Sequence, residues 1–442
     1  MPEQHAYPNG YGYQALLLFL IHLTGVDLIS FQLLGRLFLA VSLVVPTWLL
    51  YRELAGSAPA AMLATALLFI QPEFLFSILR GTHEKFSRVL MLLSLYILIR
   101  SLHSPKSLSR LTSWILAAYL AIYAQIAFNN LLATSFIVAI LLSLLFSCVV
   151  LRRSPSTSSV ATPAIQRLLY TVVVSLGLSS LFTFYLYQPA KHDLLVLESL
   201  WQRLLLLLLD IETFTNPYGT VEKTWVSLPV YLLSSLANWL LLATSALIWS
   251  CQTLHWLRDR RALSETNHVL LWAFYAAFAL LSALTVVLDF SGALAANLQH
   301  RIFPSFAIFA APLVARFLVE RYPPQRATTP LLWTGVWATI ALLSIFSTLK
   351  ALNDPRICNK WLFHLPSEME AIAWSEHALT GRGLWLGYDE RLSTAYGIRA
   401  ARSVDPMHWN TSTWDPKTPN LLISDVTRQH AERLQQPLPL QA

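Results

Sequence analysis

The stretch LFIQPEFLFSILRGTHEKFSRVL, residues 68–90, decides how the chain is read. An apolar run stops at Pro72. Glu73, Arg80, His83, Glu84, Lys85 and Arg88 then follow in quick succession, before a second apolar run begins. The surroundings make this crowding conspicuous, because 55% of the 442 residues are hydrophobic and only 12% are charged. A soluble domain carries about twice that share of charge. So much apolar surface needs lipid as its solvent, and in lipid only helices or closed barrels satisfy the backbone. The long runs of Leu, Ala, Ile, Val and Phe give an all-α polytopic membrane protein.

The net charge of +7 does not point to nucleic acid, because the positive residues sit in short connections between apolar runs. Cys148, Cys251 and Cys358 form neither a disulfide framework nor a metal-ligand cluster. The sequence contains no nucleotide-binding glycine loop, no HExxH motif and no internal repeat.

A hydrocarbon core of about 30 Å takes on the order of 20 apolar residues per helix. Ten segments meet that need: 31–50, 57–72, 87–100, 112–128, 130–151, 167–187, 226–250, 268–288, 302–318 and 330–350. The segment 87–100 is short and is read as relying on snorkelling by Arg88 and Arg100. Residues 13–24 are too few to cross, and 194–212 form a Leu-rich stretch holding Glu198, Gln202, Arg203 and Asp210; both are read as interfacial helices.

Every second connection is basic, with Arg52; Arg100, Lys106 and Arg110; Arg152, Arg153 and Arg167; Arg258, Arg260 and Arg261; and Arg316, Arg321 and Arg326. The positive-inside rule places these in the cytoplasm. The 73–85 connection, the 188–225 segment, residues 289–301 and the tail then lie outside. That puts the start of the chain outside too, so a preceding helix is expected upstream of Met1. From 351 to 442 the long apolar runs stop. GLWLGYDERLSTAYGI and PNLLISDV read as short strands and PSEMEAIAWSEHAL as a helix, which gives a small extracytoplasmic α/β domain after a transmembrane domain spanning 1–350.

Ionisable residues close to membrane depth are candidates for function. A helix over 74–86 would bring Arg80, His83 and Glu84 to one polar corner, offering a cation for phosphate and an acid or imidazole for proton transfer. The second candidate is NLQHRIFPS, residues 297–305, where Arg301 stands at the mouth of a span with His300 beside it. A planar guanidinium there suits a lipid-linked phosphate. The plain alternatives are a solvated connection for the first group and an interfacial anchor for the second.

With these residues in view, YPNGYGYQALLLFLIHLTGVDLISFQLLGRL (residues 7–37) and QPEFLFSILRGTHEK (residues 71–85) resemble stretches of the C superfamily of glycosyltransferases, GT-C. Its members are polytopic enzymes that use polyprenyl-phosphate sugars, among them protein mannosyltransferases, aminoarabinose transferases and oligosaccharyltransferase catalytic subunits. The resemblance implies sugar transfer from a lipid carrier to a glycan, lipid or protein acceptor on the extracytoplasmic face of a cell membrane, with inversion at the anomeric carbon. It implies that Glu84 or Glu73 is the second-loop carboxylate, with His83 beside it. It also implies that Arg301 binds the donor phosphate, and His300, Arg80 and Lys85 are the neighbouring substrate-binding candidates. The acidic first outer loop of that family has no counterpart after MPEQHA. No cofactor and no metal are expected, since no DxD motif stands in an outer connection. Three other readings remain at this stage: a lipid or solute transporter, an O-antigen ligase or polymerase, and a catalytically incomplete membrane scaffold.

Overall fold

The computed structural model describes residues 12–26, 30, 41–79, 84–102, 108–153, 171–175, 177–178, 201–202, 205–206, 209, 228–259, 266–290, 298–324, 329–351, 370, 373–374, 384–386, 401–403 and 420–422. The chain divides into two compact units. One comprises Met1–Pro217 with Ser235–Ala351, the other Tyr218–Ser234 with Leu352–Ala442.

The first unit holds α1 (Gly12–Thr24), α2 (Val44–Ala55), α3 (Ala58–Phe69), α4 (Pro72–Leu79), α5 (Glu84–Leu102), α6 (Leu108–Phe128) and α7 (Asn130–Arg153). It continues with α9 (Leu236–Arg258), α10 (Thr266–Phe290), α11 (Leu298–Arg321) and α12 (Pro330–Ala351). The second unit holds α8 (Leu228–Ser234) and three strands, β1 (Leu384–Leu386), β2 (Ala401–Ser403) and β3 (Asn420–Leu422). The strands form a parallel sheet in the order β2-β1-β3, with Trp385 opposite Arg402 on one side and Leu421 on the other. Strands β1 and β3 fall within the two tail segments read as strands, whereas β2, ARS, carries no strand signal of its own.

Six helices among the described residues are long and apolar enough to cross a membrane, and a seventh span results if α3 and α4 count as one. The chain is a multi-pass membrane protein. Of the ten segments expected, 31–40 and most of 167–187 lie outside the described residues. The segment 57–72 ends earlier than read: α3 stops at Phe69 and α4 leaves at 74° to it. Pro72 causes the break, because it has no N–H to offer the carbonyl of Leu68. The Gln71 amide donates there instead, at 3.0 Å, and the Gln71 side chain covers the Leu67 carbonyl at 2.7 Å. At its other end α3 starts cleanly. Gly56 takes a left-handed φ of 73° to end α2, and Ser57 Oγ accepts from the Ala60 amide at 3.3 Å.

Burial separates the helices. In α11, 83% of the span is buried, against 22% in α9 and in α12. Leu247, Leu254 and Leu257 of α9 and Leu331, Leu342 and Ile345 of α12 are exposed, a surface that lipid would solvate. Helix α11 is therefore the hub, packed by α2, α3, α4, α9 and α10. Phe309 lies between Phe274 and Phe278 of α10, with ring centres 4.9 and 4.6 Å away.

A hub in lipid must have its backbone satisfied, yet α11 carries Pro304 and Pro312. Pro312 leaves the Ile308 carbonyl without its helical donor. The buried Tyr51 hydroxyl of α2 supplies one at 2.8 Å. Pro304 removes the helical donor of the His300 carbonyl, and the next carbonyl along, that of Arg301, receives Arg88 of α5.

The helices run up and down, so contacts sort into two ends. At one end Glu53 of α2 accepts from Arg100 of α5 at 2.9 Å, and Asn267 of α10 donates to the Glu53 carbonyl at 3.0 Å. At the other end lie the starts of α5, α7 and α11 and the finishes of α6 and α12. Asn129 alone joins α6 to α7 there, and its Oδ1 accepts from the Leu132 amide at 3.0 Å. Replacing Tyr51 by Phe should leave the Ile308 carbonyl buried and unpartnered and lower unfolding stability by about 1–3 kcal/mol. Denaturant unfolding in detergent checks this, and an unchanged midpoint would show that the bond carries no weight.

Candidate functional site

The start of α5 is built from EKFSR, residues 84–88. Glu84 opens the helix, where a carboxylate meets the positive end of the helix dipole. Its side chain is half-buried. Lys85 is buried, its ammonium 6.0 Å from the centre of the Phe86 ring. Phe86 stacks on Phe128 at 5.4 Å and meets Tyr13 of α1 at 5.8 Å. Helix α1 comes this close because residue 12 is glycine; a Cβ there would stand 2.6 Å from the Ala127 carbonyl oxygen. Of the YPNGYGY stretch, Gly12 thus packs against Ala127 of α6 and Tyr13 against Phe86 of α5.

Arg88 corrects the sequence reading. It does not snorkel outward but is 1% exposed and points into the bundle. Its guanidinium donates to Ser305 Oγ and, at 2.6 Å, to the Arg301 carbonyl. Met91 Sδ lies 3.9 Å away. Arg301 itself is exposed. The structure therefore joins the start of α5, which carries Glu84 of the first candidate group, to the second candidate stretch, 297–305, through Arg88, a residue read from sequence as a mere anchor.

Glu73 takes a different position. On α4 its carboxylate meets the Lys350 ammonium of α12 at 3.0 Å, and both side chains are largely buried. Lys350 also donates to Ser235 Oγ, just before α9, at 2.6 Å. Lys350 was legible only as the charged finish of an apolar run. Its partner lies far away along the chain, and no spacing rule connects them.

Arg80 and His83 lie outside the described residues, and α4 and α5 end and begin on either side of them. The middle of the helix expected over 74–86 therefore lies outside the described residues. His300 stands in the first turn of α11, beside Arg301. Of 194–212, residues 201, 202, 205, 206 and 209 are described, and Trp201, Leu205 and Leu209 are exposed at a helical spacing of four. Among the described residues no three His, Cys, Asp or Glu side chains converge on a metal-sized site.

No protein-family model matches the chain, and no curated protein matches it in sequence. Solved structures do match. The oligosaccharyltransferase of Archaeoglobus fulgidus in its apo form superposes with a TM-score of 0.51 at 13% identity, over 91% of this chain and 57% of that one. The chain shares the fold of that enzyme. Two further structures of the Archaeoglobus enzyme also match. One is AglB in complex with an inhibitory peptide and a dolichol-phosphate, with a TM-score of 0.49 at 13% identity over 89% of this chain and 56% of that one. The other is tethered with an acceptor peptide containing the NVT sequon, with a TM-score of 0.47 at 12% identity over 88% and 55%. The chain spans little more than half the length of each.

Within this fold the Glu73–Lys350 pair ties the bent α4 to the finish of α12. Removing one partner of a buried pair strands the other charge, at a cost of about 3 kcal/mol. Glu73→Gln and Lys350→Met should each lower the unfolding midpoint, and the swap Glu73→Lys with Lys350→Glu should recover most of the loss. If the swap is no more stable than the single variants, the pair is not the tie.

Proposed function

We propose that the protein is a membrane glycosyltransferase that moves a sugar from a polyprenyl-phosphate carrier to an acceptor hydroxyl or amide at the extracytoplasmic surface. One observation carries the reading: within a GT-C fold, a half-buried carboxylate and an exposed guanidinium, Glu84 and Arg301, stand on elements that Arg88 joins at one end of the bundle. The alternation of basic connections supports placing that end outside the cell.

In this reading Glu84 accepts the proton of the acceptor as the nucleophile attacks the anomeric carbon. The bond between that carbon and the phosphate oxygen breaks, with inversion. Polyprenyl phosphate leaves, and Arg301 meets its charge as a two-pronged donor. Arg80, His83 and His300 neighbour these two residues in sequence and are assigned to the same surface, the first and last to the phosphate and His83 to the proton. Lys85 and Glu73 are held inside the protein, which favours roles in shaping the site. The exposed Trp201, Leu205 and Leu209 stripe suits an interfacial helix beside the prenyl chain. We assign the second unit, with its parallel sheet, to the extracytoplasmic side as a small α/β domain.

Purified protein in liposomes, given a polyprenyl-phosphate sugar and a mixture of glycan, lipid and peptide acceptors, should release free polyprenyl phosphate. Glu84→Gln should reduce the rate by about 100-fold or more. Arg301→Ala should mainly raise KM for the donor. Full activity in both variants would overturn the assignment, and carrier movement across the bilayer without cleavage would make the protein a transporter.

A further inference from the structure

Arg88 has the wrong surroundings for an anchor. It lies in the first two turns of α5, close enough to the end of the bundle for a long side chain to reach the interface at little cost. Instead it is buried, although taking a charge out of water costs several kcal/mol even after relaxation. Its partners are a carbonyl, a hydroxyl and a thioether, with Glu84 one helical turn earlier as the opposite charge.

Those partners flank Pro304. Proline removes an amide donor and crowds the preceding turn, so the first turns of α11 lack the helical bond to the His300 carbonyl. Arg88 reaches Arg301 O before the proline and Ser305 Oγ after it. A planar guanidinium can span two such acceptors at once, which a lysine ammonium does less well. The carbonyl it grips belongs to the residue whose own guanidinium is exposed at the surface.

We propose that Arg88 is a positioning residue: it clamps the proline-disturbed turn of α11 and so fixes where Arg301 presents its guanidinium to the carrier phosphate. The proposal rests on the role given to Arg301 above. It acts through geometry, since a misplacement of about 1 Å at a binding group can cost on the order of 100-fold.

Hydrogen exchange in lipid nanodiscs tests the clamp without any ligand. In Arg88→Lys the amides of Ile302, Phe303 and Ser305 should exchange about tenfold faster than in the unmodified protein, as expected for loss of one charged hydrogen bond. Amides in the middle of α7 should not change. Equilibrium binding of polyprenyl monophosphate tests the consequence. Arg88→Lys and Arg301→Ala should each weaken it about tenfold, and the double variant should bind no worse than Arg301→Ala alone. A residue that only stabilises the fold would give additive losses. Unchanged exchange in Arg88→Lys, or additive binding losses, overturns the inference. Faster exchange combined with no carrier binding by the unmodified protein supports the clamp and overturns the transferase reading instead.

Discussion

A transmembrane helix that carries two prolines has to recover its lost backbone hydrogen bonds without help from water. Helix α11 draws on its neighbours for this: Tyr51 on α2 caps the Ile308 carbonyl that Pro312 leaves open, and Arg88 on α5 holds the turn around Pro304 through the Arg301 carbonyl and Ser305. This constraint organises the first unit. It explains why a tyrosine and an arginine stand fully buried in an apolar bundle, and why α2 and α5 must keep their depth relative to α11. Aromatic contacts with α10 fill the same helix from the other side. The most buried element is thus also the one least able to stand alone.

The same arrangement places chemistry at one end. The start of α5 brings Glu84, the start of α11 brings Arg301, and the glycine at residue 12 lets α1 close against Phe86 and Phe128. The opposite end is held by Glu53, shared between Arg100 and Asn267. The two ends differ in kind. One is a tie between helices, and the other gathers a half-buried carboxylate and an exposed cation on elements locked together from within.

Much of this was legible in the sequence and some was not. The α6–α7 hairpin was readable almost to the residue, because apolar runs stop at Phe128 and resume after Asn129. The gathering of 84–88 and 297–305 at one end follows from counting spans. The direction of Arg88 does not, because lipid is as apolar as a protein core and hydrophobic pattern cannot say which face of a membrane helix looks inward. Snorkelling and burial leave the same trace in sequence. The Glu73–Lys350 pair was hidden for another reason: it joins α4 to α12, and only the fold makes them neighbours. Strand β2 was missed because three residues, Ala, Arg and Ser, hold no alternation to read. Pro304 was the usable clue. A proline near the start of a span predicts a weakened turn, and the residues that flank it are where a polar side chain from another helix can bind.

The claim that the Arg88 end of the bundle holds the carrier phosphate can be seen directly. Cryo-electron microscopy of the protein in nanodiscs with polyprenyl monophosphate should place the phosphate within hydrogen-bonding distance of Arg301, on the side of Glu84, with Arg88 still bound to the Arg301 carbonyl. Phosphate density at the Glu53 end, or midway between helices at the depth of Trp249 and Trp272, would contradict it.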